Sequence, residues 1–261
     1  MRVPIFQLDA FTDRRFSGNP AAVMLLEEFP PDDLLRSIAA ENNLPETAFL
    51  VKAGADYRLR WFTPTTEVPL CGHATLASAA VVFERLEPGR GTVLFHSASG
   101  PLTVSRSGSA YVMDLPARAC TPVDPPEGLE RALGTAAIEF AWDGFNFIAR
   151  LSSASLVRAL APDLREVERL PCAGVIVTAA DGPDHDFVSR YFAPAKGIPE
   201  DPVTGGAHCA LTPFWAERLG KTAFRAFQAS LRGGELRCSL RGDRVELDGS
   251  CVFFLEGEAE I

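Results

Sequence analysis

One stretch of sequence occurs twice in this chain and decides how it folds. The first copy contains Arg60–Pro64 (RWFTP) and Cys71–Leu76 (CGHATL), and the second contains Arg190–Pro194 (RYFAP) and Thr204–Cys209 (TGGAHC). An apolar run follows each copy and ends in Glu-Arg-Leu, at residue 86 in the first and at residue 219 in the second. A repeat of about half the chain is too long for a solenoid and predicts two similar lobes with a site between them.

The two copies differ in length at one place. They lie 130 residues apart at Arg60 and Arg190 but 133 residues apart at Glu84 and Glu217, so the second copy has three extra residues. These fall within Ile198–Pro202, shortly before the glycines of the second copy. The sequence therefore predicts two equivalent helices preceded by loops of different length.

Glycines stand where each repeated helix is predicted to begin: Gly72 in the first copy, Gly205 and Gly206 in the second. A helix start presents unpaired backbone N–H groups and the positive end of the helix dipole, which together stabilise an anion. Such glycines can also serve only a tight passage from strand to helix, but a matched pair favours a function. We expect the two helix starts to bind one carboxylate or enolate.

Composition restricts the class of protein. The chain has 261 residues, 47% hydrophobic residues, a net charge of -9 and a pI near 5.0. This hydrophobic content predicts well-packed cores, and the acidic balance without a basic run argues against nucleic acid as a partner. The N-terminus lacks the apolar core of a signal peptide, and no apolar stretch approaches the ~20 residues of a membrane span. We expect no membrane partner and a cytoplasmic location.

The six cysteines are scattered without a CxxC pair, which favours reduced thiols over disulfides. Cys71 and His73 could combine with His208 and Cys209 as four zinc ligands. Structural zinc motifs, however, usually space the ligands of one lobe by two to four residues, and a His directly beside its Cys points elsewhere in regular structure. The spacing therefore predicts no metal site.

Hydrophobic patterns predict mainly strands with one long helix per lobe, an α+β fold. A further helix should open at Pro31–Asp33 and end by Pro45, with an apolar face of Leu34, Leu35, Ile38 and Ala39. Ala161–Leu164 should open its counterpart in the second half. Strands are predicted at Val3–Phe11, Ala21–Leu26, Thr47–Val51, Tyr57–Phe62, Val175–Val177, Arg244–Gly249 and Val252–Gly257, the last of them buried.

The lobes are predicted from these elements. The N-terminal lobe should cover residues 1–116 and be completed by the final strand, about residues 250–261, and the C-terminal lobe should cover residues 117–249. The proline-rich stretch from Leu115 to Pro126 is the predicted crossing between them.

Three polar residues are candidates for chemistry. Glu46 follows Pro45 where a helix gives way to an apolar strand, so its carboxylate can lie beside buried groups and serve as a proton shuttle, or be a solvated residue at a helix end. His73 lies at the first helix start, where it can face the site or cap the helix. Asp201 precedes Pro202 and is either an Asx-turn residue or a carboxylate of the site.

The sequence resembles the phenazine-biosynthesis PhzF-like family along nearly its whole length. The motifs that carry the resemblance are Asp9–Asp13 (DAFTD), Phe16–Val23 (FSGNPAAV), Glu46–Phe49 (ETAF), Cys71–Thr75 (CGHAT), Glu200–Gly205 (EDPVTG), Gln228, Ser230 and Arg232–Gly234 (RGG).

The resemblance implies the diaminopimelate epimerase-like fold, with two pseudo-symmetric lobes that are each a barrel-like sheet around a central helix, and a homodimer. It implies a cofactor-independent isomerase in which Glu46 moves a proton on a small carboxylate-bearing substrate, assisted by His73 and Asp201. Its substrate-binding positions fall on Asn19, Cys71, Gly72, Gly205 and Gly206. Where the family commonly has Ser, this chain has Gly206, so a hydroxyl contact to the substrate is missing.

Two other readings stay open. Related epimerases and racemases use one Cys from each lobe, and Cys71 occupies a suitable place, but its repeat partner is Thr204. An epimerase or dehydratase using Cys71 with Thr204 is the alternative enzyme. A non-catalytic binding or scaffold protein is the other alternative, and the joint presence of Glu46, His73 and Asp201 argues against it.

Overall fold

A computed structural model describes residues 2–261 and shows an α+β protein, as the sequence predicts. The chain divides into two compact units. Unit 1 runs to Asp114 and also contains Asp248–Ile261, and unit 2 comprises Leu115–Leu247. No helix in the described range, residues 2–261, is long and apolar enough to cross a membrane.

Strands predominate in unit 1, with two helices among them. In chain order its elements are β1 (Arg2–Ala10), β2 (Asn19–Leu26), α1 (Asp32–Asn42), β3 (Glu46–Ala53), β4 (Asp56–Phe62), β5 (Glu67–Val68), α2 (Gly72–Val81) continued by a π-helical turn (Val82–Leu86), β6 (Thr92–Ser97), β7 (Gly100–Ser107) and β8 (Ala110–Pro116), which crosses the boundary.

Unit 2 has the same mixture, and the chain then returns to unit 1. The elements of unit 2 are β9 (Thr121–Pro122), α3 (Leu129–Leu133), β10 (Glu139–Trp142), β11 (Asn146–Arg150), α4 (Ala154–Ala159), α5 (Leu164–Glu168), β12 (Gly174–Ala180), β13 (Phe187–Ala193), a 3₁₀ turn (Pro194–Lys196), β14 (Ile198–Asp201), α6 (Gly205–Leu219), β15 (Ala223–Gln228), β16 (Gly234–Arg241) and β17 (Arg244–Gly249), whose last two residues belong to unit 1, as does β18 (Cys251–Glu260).

The two units pair their strands in the same pattern. In unit 1, β2 pairs antiparallel with β1 and parallel with β3, and β4 pairs antiparallel with β3 and β5 and parallel with β6. In unit 2, β11 has the same relation to β10 and β12, and β13 has the same relation to β12, β14 and β15. The sequence repeat is therefore a repeat of topology.

The repeated helices are buried over most of their length. Every residue of α2 from His73 to Val81 is buried, and the helix packs on β1, β2, β3 and β18 of its own unit. In α6 the buried residues include both faces, from Gly205 to Trp215. A helix without a polar face belongs inside a core, which explains why these segments have no amphipathic pattern.

The extra residues of the second copy form part of β14. The equivalent strand of unit 1, β5, has two residues, whereas β14 has four and follows a 3₁₀ turn. Both helices nevertheless finish at the matching leucine, because α2 continues through its π-helical turn to Leu86 and α6 ends at Leu219.

Two predictions about burial were wrong. Leu34 belongs to α1 but is 40% exposed, since the helix is buried through Leu35, Ile38 and Ala39. The final strand is also largely exposed, including Phe254 and Leu255. Its pairing with β1 shifts register between Gln7 and Leu8, so Phe254 has no partner in β1, as in a β-bulge, and its ring contacts Phe16.

Candidate active site

Three of the predicted residues meet in unit 1. Glu46 is the first residue of β3, Cys71 immediately precedes α2, and His73 is the second residue of that helix. Because α2 packs against β2 and β3, its N-terminal residues lie beside the start of β3. All three side chains are buried.

Glu46 and His73 form a close pair. Oε2 of Glu46 lies 3.1 Å from Nε2 of His73, and neither atom forms a hydrogen bond with any of the described residues. Burial by itself lowers the pKa of His73, but Cys71 and Glu46 outweigh burial and raise that pKa well above its usual value. An imidazole in contact with a carboxylate is an arrangement that proton-transfer sites use.

Cys71 lies at the other side of the imidazole. Its Sγ is 3.5 Å from Nδ1 of His73. Burial, helped by the charge of Glu46, raises the pKa of the Cys71 thiol to about 11. The thiol therefore keeps its proton at neutral pH and is a poor base, because the thiolate is the reactive form.

Asn19 contacts the same ring nitrogen of His73 as Cys71 does. Its Nδ2 lies 3.1 Å from Nδ1 of His73, and the residue is fully buried at the start of β2. The preceding loop fixes this position: Gly18 has a φ of 66°, where an added Cβ would collide with the carbonyl oxygen of Ala10. Phe16, with a φ of 69°, donates its N–H to Oδ2 of Asp9 over 2.8 Å.

The remaining predicted catalytic residue, Asp201, lies in unit 2 at the end of β14. Its Oδ2 accepts a 2.5 Å hydrogen bond from the hydroxyl of Thr204, the residue before α6. Gln228, fully buried, joins the two: its Oε1 accepts from the Thr204 N–H, and its Nε2 donates to the Asp201 carbonyl, both over 2.8 Å. Ser230 donates to the carbonyl of Pro202. The loop before α6 is thus fixed by side chains that come later in the chain.

The glycines at the helix starts have ordinary helical backbones. Gly72 and Gly205 are the first residues of α2 and α6, Gly206 is the second residue of α6, and none of the three has a positive φ. Neither preceding residue, Cys71 or Thr204, caps its helix with a side-chain hydrogen bond. The first turns therefore present backbone N–H groups that a ligand anion can use.

One cation near Gly206 was not predicted. A Cβ at Gly206 would lie 3.6 Å from a terminal nitrogen of Arg118, and the same guanidinium lies 3.5 Å from Oδ2 of Asp143, whose side chain is fully buried. Pro213 lacks an N–H, so the carbonyl of Cys209 is left for the backbone N–H of Arg118, which binds it over 2.9 Å. Pro213 inside the predicted helix could have indicated that the Cys209 carbonyl needs another donor. That donor, the N–H of Arg118, is too distant in sequence to be predicted.

Known proteins of one family match this chain along nearly its whole length. The family model described as phenazine biosynthesis-like protein (PhzC-PhzF) matches residues 8–257. An uncharacterized isomerase of Pseudomonas aeruginosa is 47% identical over 257 residues, 98% of each chain. The crystal structure of a PhzF-family phenazine biosynthesis protein from Enterococcus faecalis is 43% identical, has a TM-score of 0.96 and covers 100% of both chains.

A more distant structure shares the fold alone. A hydroxyproline epimerase from Agrobacterium vitis is 12% identical, with a TM-score of 0.62 over 98% of this chain and 92% of the epimerase. The family model matches most of the chain, and relatives above 40% identity cover nearly all of it. These matches establish homology. The chain therefore belongs to the phenazine biosynthesis-like (PhzC-PhzF) family.

Proposed function

We propose that this protein is a cofactor-independent isomerase that moves a proton on a small carboxylate-bearing molecule, with Glu46 as the acid and base. The observation that carries the proposal is the buried pair of Glu46 and His73, 3.1 Å apart at the start of α2. A buried carboxylate with a single polar partner has a lone pair available for a substrate proton. The relative from Pseudomonas aeruginosa that is named an isomerase supports this reaction class.

Glu46 and the residues around it have different roles in the proposed reaction. Glu46 takes a proton from one carbon and returns a proton to another, so the protein ends each turnover in the protonation state in which it began. While Glu46 holds the proton, that proton can be replaced by one from solvent. His73 lies against the carboxylate through Nε2, and Asn19 and Cys71 hold its ring in place at Nδ1. The N–H groups at the start of α2, including that of Gly72, stabilise the enolate that forms when the proton leaves.

Unit 2 supplies substrate binding in this proposal. Asp201, fixed by its hydrogen bond with Thr204, orients a polar group of the substrate or relays a proton. Gly205 and Gly206 offer the N–H groups of the first turn of α6 to a carboxylate. Because Gly206 has no hydroxyl, binding there depends on backbone donors.

The alternative enzyme is an epimerase or dehydratase that uses Cys71 as its base. The position of Cys71 beside His73 favours it, since a neighbouring imidazole can accept the thiol proton. Two observations argue against it. The raised pKa of the Cys71 thiol keeps the thiol protonated, and the repeat partner Thr204 directs its hydroxyl to Asp201.

Proton exchange in deuterated water distinguishes these functions. In an NMR screen of small metabolic carboxylates, we expect the wild-type protein to exchange a substrate C–H proton with solvent. Glu46→Gln should lower this rate by at least ~100-fold, because the amide cannot accept the proton, while Cys71→Ser should retain most of it. Glu41→Gln, at an exposed position, is the matched control.

The opposite pattern, loss with Cys71→Ser and retention with Glu46→Gln, would assign the chemistry to the thiol. Binding of a carboxylate without exchange by the wild-type protein would favour the non-catalytic binding protein.

A further inference from the structure

Glu46, Cys71 and His73 form a donor set with the composition of a zinc site. Each offers one ligand atom, a carboxylate oxygen, a sulfur and an imidazole nitrogen, and the three atoms lie within 4.8 Å of one another. All three side chains are buried, which distinguishes them from the acidic groups that collect on a protein surface. Sulfur, nitrogen and oxygen ligands of these types are those that Zn²⁺ prefers.

The distances suit a tetrahedral ion. Bonds of about 2.3 Å to sulfur and about 2.0 Å to nitrogen place the two ligand atoms about 3.5 Å apart in a tetrahedron. Sγ of Cys71 lies 3.5 Å from Nδ1 of His73, and Oε2 of Glu46 lies 3.1 Å from Nε2 of the same ring. These two contacts use opposite nitrogens of one ring, and Asn19 already lies 3.1 Å from Nδ1. An ion bound at Nε2 beside Glu46 therefore requires the Cys71 side chain to rotate toward it, from a place within 4.8 Å of the other ligand atoms.

We propose that these three residues bind Zn²⁺ or a similar soft divalent cation, and that the bound ion inhibits the protein. On binding, the Cys71 thiol releases its proton to water and the thiolate sulfur bonds to the ion. The fourth position is left to water or to a carboxylate. Inhibition follows because the ion occupies the lone pair of Glu46 that would take the substrate proton; this part rests on the proposed function, whereas binding does not.

Unit 2 provides an internal comparison. Thr204 and Gly206 stand where the first copy has Cys71 and His73, so the start of α6 has neither thiol nor imidazole at these positions. The nearby His208 uses Nδ1 at the carbonyl of Thr204, 2.9 Å away. Within residues 2–261, Glu46, Cys71 and His73 are the one such group with three ligand types in reach of one ion. One ion per chain is therefore expected.

Co²⁺ and Zn²⁺ binding to the metal-free protein tests the site without any substrate. We expect one Co²⁺ per chain, with a thiolate-to-cobalt charge-transfer band in the near ultraviolet, and one Zn²⁺ by calorimetry. Cys71→Ser should remove the band, and Cys71→Ser and His73→Asn should each weaken Zn²⁺ binding at least ~10-fold. Cys172→Ser, a half-buried thiol of unit 2, is the matched control and should keep both signals.

Circular dichroism and thermal unfolding verify that each variant is folded. The proposal is wrong if the folded wild-type protein binds no Zn²⁺, if the cobalt band is absent, or if Cys71→Ser binds Zn²⁺ as tightly as the wild type. Once an exchanging substrate is known, Zn²⁺ should stop the exchange and a chelator should restore it. Binding without an effect on exchange would retain the metal site and overturn the inhibitory role.

Discussion

At the residue scale, His73 is the centre of the site. Its Nε2 faces Glu46, and its Nδ1 faces Asn19 and Cys71, so one imidazole connects three buried polar side chains. Charged residues are rarely buried unless they are paired, and the pair explains how Glu46 tolerates an exposure of only 7%. The geometry also gives Asn19 a contact with His73, in addition to the substrate-binding role that the resemblance implies.

The contact of Asn19 with His73 predicts a positioning role. Asn19→Ala should lower the rate of substrate proton exchange by roughly 10- to 100-fold, because the imidazole and hence Glu46 lose their fixed orientation. The pH profile of exchange should also shift, since His73 loses a hydrogen-bond partner. Asn42→Ala removes another amide of unit 1, which contacts Thr47, and should leave the profile unchanged. An unaltered profile in folded Asn19→Ala would contradict this role.

At the scale of elements, the two helix starts share a plan and differ in how their loops are held. In both, the carbonyl of the residue before the helix accepts a bond from a side chain four residues later: Thr75 binds Cys71 over 2.6 Å, and His208 binds Thr204 over 2.9 Å. The loop before α6 also forms two hydrogen bonds with the side chain of Gln228, one at the Thr204 N–H and one at the Asp201 carbonyl. The loop that carries these bonds is the longer one, that of the second copy. A longer loop has more conformations to lose, so it needs more contacts to be ordered.

Removal of the Gln228 hydrogen bonds should destabilise the protein. Gln228→Ala leaves the N–H of Thr204 and the carbonyl of Asp201 without this partner, and we expect the free energy of unfolding to fall by about 2–3 kcal/mol. Ser230→Ala removes a half-buried hydroxyl from the same loop and should cost about 1 kcal/mol. Urea denaturation of both variants measures the difference. Equal losses of unfolding free energy in the two variants would show that Gln228 is not the main residue that holds this loop.

At the scale of the whole molecule, stability should depend on one buried histidine. His208 is fully buried, and burial lowers its pKa to about 4, although its bond to the Thr204 carbonyl opposes this shift. Its unfolded pKa is near 6.5. Between these values the unfolded chain binds a proton that the folded protein does not, so the stabilisation is full above pH 6.5 and is lost as the pH falls toward 4.

Replacement of His208 isolates this effect. Relative to His208→Phe, the wild-type protein should lose roughly 3 kcal/mol of unfolding free energy between pH 7 and pH 4. Phenylalanine keeps the ring that packs on Phe187 but cannot titrate. Denaturant unfolding at several pH values gives the comparison, and groups that titrate in both proteins cancel. Parallel stability curves for the two proteins would refute the role of His208.

Local patterns predicted much of the fold. The buried strand β2, the alternating strand β4 and the end of α2 and α6 at matching leucines follow from apolar patterns and from the repeat. The exposure of Leu34 and of the final strand did not follow. Whether an apolar residue is covered depends on which elements pack against it, and the register shift that leaves Phe254 unpaired is encoded by no local pattern.

The sequence by itself determined the α+β class, the twofold repeat and the residue types available for chemistry, because these depend on composition and on spacing along the chain. Only the tertiary structure decided which residues meet. His73 lies up to 54 positions from its partners Asn19 and Glu46 in the sequence. In the structure, one side-chain atom of each partner lies 3.1 Å from the imidazole of His73. Their contacts exist because β2 pairs with β3 and α2 packs on both, and such long-range packing fixes burial, pKa and chemistry together.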